Sequence, residues 1–176
     1  MGKVALELRG HVKELVYKAH ENAINHGFHD GKLDLEQAVM LIISEISEAI
    51  EADRNSIHAV EKPADCMDDS FEFCIKDTYE DEIADVFIRL FDLAGYFGII
   101  PKYIPLNYNS NTHAGMLLYA TMVIGGIAVQ PTVMSFNYAY SAMVEFCDIF
   151  GIDILPFIEA KMKYNEGRPY KHGKEY

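Results

Sequence analysis

The chain has 176 residues, enough for one domain with a real hydrophobic core. Half of the residues are hydrophobic and 24% are charged, a globular balance rather than a disordered one. The net charge of -12 argues against nucleic acid as a partner, because phosphate backbones need a positive surface, and a polyanionic small ligand would need a metal ion or a local basic patch.

Apolar residues recur with helical period almost throughout, and no stretch alternates convincingly enough for a strand. A first helix is expected from about Val4 to Asn25, ending at Gly27, with the polar turn "HGFHDGK" behind it. Asp34 with Gln37 three residues on is a capping-box pattern and starts a second helix, which runs to about Arg54. Residues 55 to 76 read as a long connection with a short ordered piece at "SFEFCI". A third long helix is expected from Asp77 or Thr78 to Gly98, with Pro101 beyond it. Two apolar helices follow, about Thr112 to Val129 and Val133 to Phe150, separated by Pro131 and closed by Gly151. A last helix carries "PFIEAKMKYNE" to Gly167, and 167 to 176 is a basic tail. The expected class is therefore all-α, one domain over residues 1–176.

The run Ala114–Val129 has 16 residues with three glycines, short for a membrane span, so it reads as a core or subunit-interface helix. Its all-round apolarity predicts a homodimer or higher homo-oligomer, and no membrane association. Cys66, Cys74 and Cys147 form no C-x-x-C pair, and no apolar signal core follows Met1. Both features fit reduced thiols and a cytoplasmic location. An internal echo sets the 112–129 helix against the second helix, placing Thr121 and Ile124 at the positions of Glu45 and Glu48. A parallel match sets Ser135 and Tyr138 at Glu82 and Asp85, so a degenerate duplicated helical pair and a chance match are both open.

The chemistry lies in "SEISEAIEADR" and "EDEIAD". Glu45 and Glu48 stand at i, i+3 on the edge of the second helix's apolar stripe, about 5–6 Å apart at Cβ. Glu82 and Asp85 repeat the arrangement on the next long helix. A single acidic pair is an ordinary solvated face, and Glu145 with Asp148 forms another that receives no role. Two pairs on core-facing edges are different: like charges at about 4 Å repel by roughly 4 kcal/mol at an effective dielectric of about 20. Protons or a cation must relieve them, and hard carboxylate oxygens suit Mg²⁺, with Mn²⁺ as a substitute. Zinc is disfavoured there because no His or Cys accompanies the acids. The C-terminal segment holds Lys161, Lys163, Arg168, Lys171 and Lys174 against Glu166 and Glu175. It reads either as a frayed solubilising end or as a phosphate grip.

With "SEISEAIEA", "KDTYEDEIADVFIRLFDLAG" and "KMKYNEGRPYKHGK", the chain resembles the all-α nucleoside triphosphate pyrophosphohydrolases, in particular MazG-like proteins, over about residues 35–55, 76–99 and 154–174. The resemblance implies a helical bundle of that type and a nucleoside triphosphate as substrate. It implies that Glu45, Glu48, Glu82 and Asp85 are the catalytic, Mg²⁺-binding acids, and that Lys161, Asn165, Arg168 and Lys174 approach the phosphates. The expected reaction is Mg²⁺-dependent hydrolysis to the monophosphate and pyrophosphate, as in nucleotide-pool house-cleaning. Ser44 replaces the first acid of the family pattern, the spacer between Glu48 and Glu82 is 33 residues, longer than usual, and segment 100–153 is an addition to the minimal helical pair. Asp81 or Asp92 is a further candidate to orient water, and Arg89 is expected to pair with Asp85 or Asp92, a phosphate contact being the alternative. Phe28, Tyr108, Tyr164 and Tyr170 are aromatics able to stack on a base. The competing readings are an inactive nucleotide- or metal-binding relative and a helical oligomerisation module.

Overall fold

The computed structural model describes residues 2–60, 63, 71–108 and 110–173. Within them the chain is helical and contains no strand. The elements are α1 (Lys3–Asn25), α2 (Leu35–Arg54), α3 (Phe71–Cys74), α4 (Tyr79–Tyr96), α5 (His113–Val129), α6 (Val133–Phe150) and α7 (Leu155–Glu166), followed by a short 3₁₀ turn at Tyr170–Gly173.

Caps written in the sequence set the helix starts. Asp34 accepts from the Gln37 amide at 2.9 Å to open α2, and the Thr78 hydroxyl accepts from the Asp81 amide to open α4. Thr112 and Thr132 do the same for α5 and α6, the latter as a reciprocal box with Ser135. Each such cap satisfies an amide that the helix leaves unpaired, worth about 1 kcal/mol. α6 stops at Gly151, whose φ of 71° is left-handed and suits glycine.

α4 is the centre of the bundle, packed against α1, α2, α6 and α7. It is buried on most of its circumference by Tyr79, Ile83, Val86, Phe87, Leu90, Phe91 and Ala94. α1 answers with Leu8, Val12, Leu15, Val16 and Ala19, and α2 with Val39, Ile42, Ile46 and Ala49. α5 packs on α6 and on α2, so the α5–α6 pair lies beside the α2–α4 pair.

Two acids without an expected role turn out to be anchors. Glu145 accepts from the Leu106 amide at 2.9 Å and from the Tyr103 hydroxyl at 3.1 Å. With Asn137 and Ser141, which accept from the Lys102 and Ile104 amides, it holds the irregular segment after α4 onto α6. Asp148 accepts from the Val4 amide at 2.8 Å and so caps the first turn of α1. Sequence positions 1, 61, 62, 64–70, 109 and 174–176 lie outside the described residues, and with them Cys66 and Lys174.

Candidate metal and phosphate site

α2 and α4 run side by side, and their facing edges carry the acids. Carboxylate oxygens of Glu45, Glu48 and Glu82 lie within 4.8 Å of one another. Glu45 and Glu82 are buried while Glu48 is exposed, so the group opens to solvent at Glu48. Burial, reinforced by Asp85, pushes Glu82 up to about 9. Burial also raises Glu45, against the pull of the nearby Arg89 guanidinium. Burial thus favours the neutral form of both acids unless a cation stands beside them.

The protein supplies part of that charge itself. Arg89 Nε donates to Glu45 Oε1 at 2.6 Å, which corrects the expectation that Arg89 pairs with Asp85 or Asp92. Lys161 Nζ donates to Asp81 Oδ2 at 2.6 Å and to Asp85 Oδ2 at 2.9 Å. Burial works against the Lys161 ammonium, but Asp85 and Asp81 outweigh it and hold its pKa above the ordinary lysine value. Asp81 is wholly buried and is pushed up to about 6, mainly by that burial. Its Oδ2 also accepts from the Asp77 amide at 3.0 Å, whereas its Oδ1 meets no hydrogen-bond partner among the described residues.

Two expectations shift here. Of the four expected metal ligands, three converge and Asp85 is engaged by Lys161. Lys161, expected on the phosphates, is instead a buried counter-ion of the acids, because α7 packs directly on α4. The E-x-x-D spacing was legible, but the identity of the cation behind it was not, since Lys161 lies 80 residues from Asp81 in sequence.

Beside Asp85 and Arg89 opens a cavity of about 280 Å³. Its floor is α4, one wall is the polar turn with Phe28 and His29, and the other is the C-terminal segment with Asn165, Arg168, Lys171 and His172. The tail is therefore not frayed over residues 168–173. The Lys171 amide donates to the His26 carbonyl at 2.8 Å, the His26 ring nitrogens lie 2.8 and 3.0 Å from the carbonyl oxygens of Asn22 and Arg168, and the Tyr170 hydroxyl donates to Asp30 at 2.6 Å. Asn165 is buried, and its Oδ1 faces Arg168 Nη1 at 3.4 Å. His172 is pushed down to about 4 by burial and by the cations around it, Arg168 first, so it adds no charge near neutral pH.

Of the aromatics considered for a base, Phe28 lines the cavity. Tyr108 stacks on Tyr119 and Tyr164 on Phe71, both as packing. Asp92 Oδ1, considered for orienting water, is engaged by His20 and His29 at 2.8 and 2.7 Å. That cluster and the cavity wall at 26–34 were not legible in sequence, where "HGFHDGK" reads only as a polar turn. No helix among the described residues is long and apolar enough to cross a membrane. Comparison with protein-family models, with curated proteins and with solved structures finds no match for the chain.

Proposed function

We propose that the chain hydrolyses a nucleoside triphosphate to the monophosphate and pyrophosphate in a Mg²⁺-dependent reaction, the activity implied by its resemblance to MazG-like pyrophosphohydrolases. The observation that carries this reading is the convergence of Glu45, Glu48 and Glu82 from two helices beside a cavity walled by Arg89, Arg168 and Lys171. The cations of the cavity wall thus stand next to the acid cluster in a protein that is acidic overall, Arg89 linking the two through Glu45, and a metal-loaded polyphosphate requires both signs of charge within reach.

The donor set fits a hard divalent cation. It consists of carboxylate oxygens alone, and two of its three acids are buried. Glu45, Glu48 and Glu82 would hold the ion, with Asp85 able to join them on leaving Lys161. When bound, Mg²⁺ or Mn²⁺ supplies charge neutralisation and a lowered pKa for water.

The rest is work for the chain's own groups. Water oxygen forms a bond to the α-phosphorus as the bond to the bridging oxygen breaks, and pyrophosphate leaves. Asp81 is sealed against Lys161 and Asp92 is shared by two histidines, which leaves the α2–α4 carboxylates to accept the proton of the attacking water. Arg168 and Lys171 receive the charge that builds on the leaving phosphates, with Asn165 as a neutral donor and the partner that steadies Arg168. Phe28 offers the cavity an aromatic edge for the base.

The test is pyrophosphate release from a panel of canonical and modified NTPs and dNTPs, with Mg²⁺ and with chelator. Release that needs the metal supports the reading, and no release from any member sinks it. One observation favours a second reading. Arg89 and Lys161 already pair with Glu45, Asp81 and Asp85, which suits a catalytically inactive protein that binds nucleotide or metal without turnover. Thermal stabilisation by Mg²⁺ plus nucleotide with no pyrophosphate released would select that reading.

A further inference from the structure

Away from the acids, three metal-ligating side chains meet from three separate elements. His20 comes from α1, His29 from the turn after it, and Asp92 from α4, two helical turns beyond Asp85. His20 Nδ1 lies 2.8 Å and His29 Nε2 2.7 Å from the same oxygen, Asp92 Oδ1. The three ligand atoms lie within 4.8 Å of one another. From this geometry we infer that His20, His29 and Asp92 form a second metal site, for a divalent transition ion of the Zn²⁺ class, distinct from the carboxylate cluster.

Chemistry separates the two sites. Imidazole nitrogen suits zinc and its first-row neighbours, whereas all-carboxylate donors suit Mg²⁺. Two histidines and one carboxylate are a known complement for an ion that keeps an open position. Zinc bonds of about 2.0–2.1 Å put tetrahedral ligands roughly 3.3 Å apart, so both nitrogens need to withdraw from Asp92 by about half an ångström. Small side-chain rotations supply that, and each ring takes the tautomer that carries its proton on the other nitrogen, so that His20 Nδ1 and His29 Nε2 offer lone pairs to the ion.

Packing holds both rings in place. A Cβ on Gly95 would meet His20 Cβ at 2.5 Å, so the glycine is what lets α1 bring His20 this close to α4. The His29 ring stacks on Tyr96, centroids 5.5 Å apart and 22° from parallel. The site is also reachable. All three residues are half-buried, and His29 and Asp92 line the cavity, so a water or a ligand atom can complete the coordination from that side. An ion here would tie the turn carrying Phe28 and His29 to α4 and so fix one wall of the cavity. None of this depends on the acid cluster or on nucleotide hydrolysis.

The test uses the full-length, tag-free protein and Co²⁺ alone, whose visible absorption reports imidazole ligands and low coordination number. One Co²⁺ should bind with such absorption, Zn²⁺ should displace it, and excess Mg²⁺ should not. His29→Ala and Asp92→Asn should each weaken Co²⁺ at least about 10-fold, as loss of a ligand should do no less than loss of a group supporting one. Glu48→Gln should leave the absorption unchanged. His20→Ala opens a gap beside Gly95 and risks the fold, which is why the turn residue His29 carries the test, with circular dichroism to show that its variant is folded. Absorption unchanged in folded His29→Ala, or no Co²⁺ absorption in the parent protein, overturns the site and leaves the three residues as a hydrogen-bonded bridge.

Discussion

Lys161 and Asp81 face each other across the α7–α4 interface at 2.6 Å, both buried, and Asp85 shares the same ammonium at 2.9 Å. This buried triad sets how the acid cluster responds to substitution. Removing one partner of a buried ion pair leaves an uncompensated charge and costs about 3–5 kcal/mol. Lys161→Met should therefore lower stability by an amount of that order. Lys161→Met with Asp81→Asn should cost less than the two single changes summed, because no charge is then stranded at position 81. Urea titrations of the four proteins measure it, and strict additivity would contradict the coupling.

The cluster acids should separate by what each one touches. Glu48 is exposed and belongs to the converging group, so Glu48→Gln should abolish pyrophosphate release while leaving the metal-free melting temperature level or slightly raised. Asp85→Asn also removes a carboxylate but strips Lys161 of a partner, and should lower activity and stability together. Full turnover by Glu48→Gln would remove the carboxylate site from the proposal.

Glu82 gives the metal-free protein a pH signature. Its pKa rises from an ordinary 4.5 to about 9 in the folded chain, through burial first and Asp85 second. Between those values the folded state holds a proton that the unfolded state has lost. The Glu82 contribution is therefore fully present below 4.5 and is lost as pH rises through about 9. Urea midpoints should fall across that window, and Glu82→Gln should flatten the decline. An equally steep decline in the variant would assign the effect to other groups.

Much of this fold was legible in the sequence, for local reasons. Asp34 with Gln37, Gly151 and the apolar stripe of α4 act within a few residues of themselves, so period and caps placed the helices. The acid pairs were legible because i, i+3 spacing is local too. What escaped was every partnership across the bundle: Arg89 with Glu45, Lys161 with Asp81, and two histidines on Asp92. Such pairs depend on which helix lies beside which, and no period encodes that. The tail is the same case, since Tyr170 meets Asp30 across 140 residues of sequence.

α5 leaves an unusual surface. Leu118, Met122 and Val129 fall on one side of the helix and are 63%, 68% and 88% exposed, and Val133, Met134 and Tyr138 continue from the start of α6. An apolar face of this kind favours association. The expected state in light scattering is a homodimer or higher oligomer, and Met122→Glu should shift it toward the monomer without loss of helicity. A parent protein that is already monomeric at micromolar concentration would leave this face without that role.

The C-terminal segment makes the last separation, between a structural tail and a phosphate grip. Deleting it entirely would be a poor test, because Lys171 and Tyr170 hold the turn at 26–30, and their loss would disturb the cavity wall as well as the charge. Side-chain changes keep those ties, since Lys171 bonds His26 through its backbone amide. Arg168→Ala with Lys171→Ala should leave the helical signal and Mg²⁺ affinity in place while removing two cations from the cavity. A charge-assisted hydrogen bond is worth about 1.5–3 kcal/mol, so losing two should slow pyrophosphate release by about two to four powers of ten. Asn165→Asp, which puts a carboxylate beside Arg168, should lower the rate in the same direction through repulsion of phosphate. Should the double variant turn over at the parent rate, Arg168 and Lys171 serve only to close the bundle, and the leaving phosphates must be held elsewhere.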